Sequence, residues 1–234
     1  MQKDDMRIAK LIARNGAMSR REAERAILAG RVKVNGAAIA SPALNVTGKD
    51  KVEIDGRPLA KPEATRLFIY HKPAGLIVSH SDENGRKTVF DALPKEYGRL
   101  ISIGRLDLNS EGLLLLTNDG EFERFMESPK NEFEREYQVR VHGVPSKDDM
   151  ERLARGMTVD GIRYRPIDVK IDRTLSTNSW LTVKLHEGKN REIRRTLESL
   201  GYEVNRLVRV SYAGLKLRGL ESGKIYEVKI PSAL

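Results

Sequence analysis

Apolar residues follow two different rhythms along this chain. Near the start they are spaced for helices: Ile8, Leu11 and Ile12 share one face, and Ala23, Ala26 and Ile27 share another. Asn15-Gly16 ends the first helix and Gly30 the second. Ser19, three residues ahead of Glu22, predicts a capping box at the start of the second. The rhythm then changes to alternation, with Val32 and Val34 before an Asn35-Gly36 hairpin turn and Val52 and Ile54 repeating the pattern. Residues 57–65, with Pro58 and Pro62 and no apolar periodicity, read as a linker.

From residue 66 onward, strand-like runs recur at 67–71, 76–79, 100–103, 113–117, 137–142, 167–171, 180–185, 204–210 and 225–230. Helical patterns interrupt them at 87–93, 120–127, 146–155 and 190–199, the third opening on Ser146 and Asp149 in N-cap and N3 positions. Strands outnumber helices without alternating strictly with them. The expectation is therefore α+β: a small two-helix-plus-hairpin domain over residues 1–62, then a mixed, mainly antiparallel sheet domain over 63–234.

Composition narrows the chemistry. The 234 residues include no cysteine, which excludes disulfides and thiolate metal sites and makes the cytosol the expected compartment. No apolar run approaches the roughly 20 residues of a membrane helix, and the first ten residues lack the apolar core of a signal peptide. The four histidines, His71, His80, His142 and His186, have no metal-ligand spacing, and neither a phosphate loop nor a dinucleotide fingerprint is present. No metal or cofactor is expected. A reaction needing only a carboxylate and a basic partner fits.

Charge points to the partner. Residues 1–62 carry 13 basic and 7 acidic side chains, a net +6 out of the chain's +9. Arg20, Arg21, Arg25, Arg31 and Lys33 gather around the helix–hairpin junction, where they could neutralise several phosphates. The run SRREAERAILAGRVKVNG resembles the RNA-binding domain first seen in ribosomal small-subunit protein S-four, over about residues 6–55. That resemblance implies a ligand class, RNA, rather than a chemistry.

The most specific segment is GRLDLNSEGLLLLTNDG, residues 104–120. Asp107 follows Arg105 at the end of one apolar run and precedes a turn that leads into Leu113–Leu116. A carboxylate at the mouth of such a turn is held rigidly yet can meet a substrate. The segment resembles the signature of the pseudouridine synthases, in the branch that modifies single uridines of ribosomal RNA. The resemblance spans nearly the whole chain. It implies a curved central sheet crossed by an RNA cleft, with Asp107 as catalytic residue. Glu192-Ile193-Arg194 matches the motif whose arginine pairs with that aspartate, a fork of two hydrogen bonds in this reading, leaving Arg191 and Arg195 for phosphate or solvent. Tyr137 matches a tyrosine that stacks on the target base, Leu207 an apolar residue of the base pocket, and Lys72-Pro73 a recurrent feature at the cleft floor. Lys72, Arg105 and Leu207 are thus expected at the substrate. Glu111 reads as a turn or surface residue. Segments 83–94 and 209–214 tilt the resemblance toward the group acting on large-subunit RNA.

The expected activity is isomerisation of uridine to pseudouridine in ribosomal RNA, free or in a precursor particle, by a monomer. Small-subunit RNA is the alternative substrate. A non-catalytic assembly factor and a nucleoside glycosidase are the alternatives of other classes.

Overall fold

The computed structural model describes residues 5–232 and 234. Two compact units divide the chain. One comprises residues 1–66 with 95–101 and 118–120, the other 67–94, 102–117 and 121–234.

In the first unit, β1 (Met6–Arg7) leads directly into α1 (Ile8–Arg14), followed by α2 (Arg20–Leu28). Ser19 caps α2: its hydroxyl accepts from the Glu22 amide, and the Glu22 carboxylate accepts from the Ser19 amide. The strands β2 (Val32–Val34), β3 (Ala37–Ala38), β4 (Asn45–Val46), β5 (Val52–Ile54) and β6 (Arg57–Pro58) complete it. A four-stranded sheet runs β3-β2-β5-β6, and β1 pairs with β4. Ile8, Ile12, Ala23, Ile27, Val32, Val46 and Val52 form the core, so the two predicted helical faces meet the alternating strands. The start of the expected linker, Arg57–Pro58, is instead an edge strand; proline is tolerated there because an edge need not donate.

The second unit is built on β7 (Leu67–Lys72), β8 (Ile101–Ile103), β9 (Glu111–Thr117), β10 (Arg135–His142), the small hairpin β11 (Thr158–Val159) with β12 (Ile162–Arg163), β13 (Asp168–Thr174), β14 (Asn178–Leu185), β15 (Val204–Tyr212), β16 (Leu215–Lys216) and β17 (Ile225–Val228). The main sheet runs β13-β14-β10-β15-β9-β7-β17, with β16 on β15 and β8 on β9. Along the main path only β15–β9 is parallel, which makes the sheet mixed and mainly antiparallel. The helices are α3 (Gly120–Glu127), α4 (Lys147–Ala154), capped by Ser146, and α5 (Glu192–Ser199).

Two expected elements are absent. Residues 87–93 form turns, because the Thr88 and Asp91 side chains bond each other's backbone amides locally and Pro94 blocks continuation. Residues 76–79 contribute a single bridge, Ile77 to Thr88, since the Ser79 hydroxyl turns the chain onto Ser81.

Candidate active site

Asp107 sits in the turn between β8 and β9, its side chain 33% exposed. The turn closes with the Ser110 amide donating to the Asp107 carbonyl (3.0 Å). Beneath it lies Lys72, wholly buried at the end of β7. The Lys72 ammonium is within hydrogen-bond distance of four carbonyl oxygens, on Pro73 (3.0 Å), Asp107 (3.1 Å), Leu108 (3.3 Å) and Ser110 (2.8 Å). Burial pushes it down to about 8, against the opposite pull of Asp107 and Glu111. Lys72 was expected to touch substrate; it is instead sealed under the turn and can act on substrate only through the loop it holds. The buried charge is tolerated because several carbonyl oxygens converge on it, two of them also accepting backbone amides, Asp107 from Ser110 and Leu108 from Gly75 (2.8 Å).

Arg194 on α5 holds the same turn from a second side. The residue is 7% exposed, its guanidinium donating to the carbonyls of Val204 (2.9 Å) and Asn109 (3.3 Å). Its Nε is buried without an acceptor. Burial, together with Arg191, holds the guanidinium below the ordinary arginine range, while Asp107 and Glu198 pull it back. The expected fork on the Asp107 carboxylate is not made; both arms are occupied by backbone carbonyls.

Arg191, assigned to phosphate or solvent from the sequence, lies closer to the carboxylate: its Nη1 is 3.9 Å from Asp107 Oδ2. That distance is charge attraction without a hydrogen bond. Arg191 takes up the left-handed conformation (φ 51°) at the N-cap of α5. Arg195 is half-buried, and Arg105 is exposed two residues before Asp107.

Tyr137 and Leu207 are 8% and 6% exposed and occupy one sheet face: Tyr137 is in register with Arg209, and Leu207 with Val139. Gly112, five residues after Asp107, is in register with Arg209 on the other side of β15. The end of the aspartate turn therefore stands two strand spacings, about 10 Å, from Tyr137. Gly112 has φ 102°, and a Cβ there would be 2.2 Å from the Arg209 carbonyl oxygen. Arg209 itself is buried, donates to the Leu113 carbonyl (2.7 Å), and lies 5.3 Å from the Tyr212 ring centroid. Arg209 was not among the expected site residues, although the alternation in NRLVRV places it on the face of Leu207.

Glu111 is neither free nor catalytic in arrangement. Arg206 grips it through two hydrogen bonds (2.9 and 3.0 Å), which hold its carboxyl below the usual range. In the first unit, Arg20, Arg21, Arg25 and Lys33 are exposed; Arg31 is also exposed but forks onto Asp55. Among the described residues no group of three or more His, Asp or Glu could hold a metal, and no helix is long and apolar enough to cross a membrane.

A carboxylate on a loop anchored by two buried cations, beside a sheet bearing a tyrosine, in a chain that also carries a helix-pair domain with a basic face, is an arrangement that suits an enzyme acting on RNA. The family of RNA pseudouridylate synthases matches residues 66–199, and the S4 domain matches residues 6–62. The chain belongs to the RNA pseudouridine synthases, isomerases that convert uridine to pseudouridine. It is 46% identical to an uncharacterized RNA pseudouridine synthase of Rickettsia prowazekii (strain Madrid E), covering 95% of this chain and 94% of that one. It is 40% identical to ribosomal large subunit pseudouridine synthase B of Bacillus subtilis (strain 168), covering 95% and 91%. A crystal structure of a pseudouridylate synthase superposes with a TM-score of 0.69 at 27% identity, covering 96% of each chain.

Proposed function

We propose that the chain isomerises one uridine of large-subunit ribosomal RNA, with Asp107 acting at the ribose. The bond from N1 of uracil to C1′ breaks, the base turns, and a C5–C1′ bond forms. The proton lost from C5 is balanced by one gained at N1. The Asp107 carboxylate either attacks C1′ or removes a proton from C2′. Tyr137 and Leu207 form the floor against which the extruded base rests, where stacking offsets part of the unstacking cost. Arg191 keeps positive charge beside the carboxylate, and Arg194 positions the loop. Arg20, Arg21, Arg25 and Lys33 hold RNA phosphates, with residues 1–62 acting as the RNA-holding domain and 63–234 as the catalytic one.

What carries this reading is the pairing of a partly exposed Asp107 with a turn whose carbonyls are fixed by Lys72 and Arg194. Preorganisation of that kind is what a displacement at a sugar carbon requires. The large subunit is favoured by the likeness to the B-type enzyme of Bacillus subtilis. In this reading the chain works as a monomer in the cytoplasm, on free RNA or an assembling particle.

Mapping pseudouridines in ribosomal RNA from cells lacking the chain tests the proposal. One large-subunit site should be missing, restored by the wild-type chain and not by Asp107→Asn expressed to the same level. Restoration by Asp107→Asn overturns the mechanism; a missing small-subunit site overturns the choice of substrate.

A further inference from the structure

The sheet has a second face at its β13 end. Tyr137, Val139, Val141, Leu181 and Leu207 alternate onto the buried side. The residues between them point the other way. On that reverse face Arg140 of β10 is in register with Trp180 of β14 and with Arg206 of β15, and Trp180 is in register with Arg173 of β13. Four strands thus carry a continuous row, Arg173–Trp180–Arg140–Arg206, about 14 Å across.

Three features make the row a receptor rather than an ordinary solvated face. Trp180 is the only tryptophan in the chain, and it is half-buried with no hydrogen bond from its indole N–H among the described residues. Arg173 stands over its ring at 5.6 Å. Arg140 has no ion-pair partner among the described residues, and its Nε is buried without an acceptor. Of the three arginines only Arg206 is neutralised, by Glu111.

We propose that this row binds a single-stranded stretch of the substrate RNA, on the face opposite Tyr137. A base stacks on Trp180, and Arg140 and Arg173 take the flanking phosphates. An aromatic ring set among cations on an open sheet is the arrangement that holds unpaired bases without reading a long sequence. Guanidinium groups without carboxylate partners select a polyanion over an acidic–basic mixed protein surface. Because Arg206 of the row grips Glu111, the first residue of β9, RNA seated here is coupled to the strand that leaves the Asp107 turn. The proposal rests on RNA being the substrate and not on the role of Asp107.

The lone tryptophan is its own reporter. The full chain is titrated with a single-stranded oligoribonucleotide about ten nucleotides long, following tryptophan fluorescence and, in parallel, the anisotropy of the labelled RNA. Saturable quenching that tracks binding is expected, with a duplex of the same sequence quenching far less. The Arg140→Ala/Arg173→Ala double variant should bind roughly tenfold more weakly, and Trp180→Ala likewise, while Trp180→Phe keeps most of the affinity. Binding without any change in tryptophan fluorescence, a measurement needing no variant, overturns the proposal. So does wild-type affinity in a folded double variant.

Discussion

Gly112 and Arg209 approach so closely that no side chain fits between them: a Cβ on Gly112 would lie 2.2 Å from the Arg209 carbonyl oxygen and 2.8 Å from its amide nitrogen. Both atoms are backbone of the adjacent parallel strand, so neither can swing aside. With φ at 102°, Gly112 is also in a conformation that L side chains rarely adopt. Gly112→Ala is therefore expected to destabilise the chain by at least about 2 kcal/mol and to lower kcat by displacing the Asp107 turn. Urea unfolding monitored by circular dichroism reads the first effect; a loss under about 0.5 kcal/mol would show that the strands yield.

Lys72 acts from below the turn. Lys72→Met removes the buried donor shared by the carbonyls of Asp107, Leu108 and Ser110; the first two keep the Ser110 and Gly75 amides, and a carbonyl left without any donor costs roughly 1–3 kcal/mol. The turn then loosens, and kcat should fall far more than KM rises, because the side chain never meets RNA. Lys72→Arg should not rescue it, since a planar fork cannot converge on four oxygens. With a folded value near 8, below the ordinary lysine value, Lys72 loses its proton as pH rises through 8, and one donor goes with it. The alkaline decline in kcat should begin there. A variant that keeps wild-type kcat removes the positioning role.

Arg194 and Arg191 should separate by kind of effect. Arg194 bridges the Val204 and Asn109 carbonyls, a two-armed contact that lysine cannot make, so Arg194→Lys should cut kcat by about 100-fold, as small misplacements of reacting groups do. Arg191 offers charge at 3.9 Å, which lysine can supply, so Arg191→Lys should stay within about fivefold of wild type. Single-turnover rates at saturating RNA distinguish them; equal losses in the two variants would contradict these assignments.

Much of this architecture was legible in the residues. The capping box Ser19–Glu22, the helical faces of α1 and α2, the continuous apolar run of β7 and the alternating runs of β10, β14 and β15 all depend on local pattern, which the sequence displays directly. What stayed hidden depends on tertiary partners. A lysine at a strand end reads as surface or substrate contact until the loop that covers it is known. Arg194 and Arg191 share one short motif, and the left-handed turn at Arg191, which leads into α5 and leaves its guanidinium the nearer to the carboxylate, is not visible in their spacing. Residues 87–93 carry a helical spacing that the local Thr88–Asp91 bonds override. The row through Trp180 and Arg140 needs the strand register, which no single strand contains.

A buried carboxyl at the start of α5 predicts a pH signature. Glu192 is 4% exposed, accepts one bond from the Lys189 amide, and has Glu187 for a neighbour. Burial, then the Glu187 carboxylate, raises it to about 8, so at neutral pH it is held protonated and the two carboxyls share a proton. Because its folded value lies above its unfolded one, the folded chain binds the extra proton between pH 4.5 and 8. Stability from this group is complete below about 4.5 and is lost as pH rises through 8. Glu187, shifted the other way, contributes stability above 4.5 that disappears on acidification. Glu192→Gln keeps the shape without the titration. Its Tm should be level from pH 5 to 8, where the wild-type Tm declines. Parallel Tm–pH curves for the two proteins would mean that Glu192 is ionised throughout, and that α5, with Arg191 and Arg194 on it, tolerates a buried negative charge at its first turn.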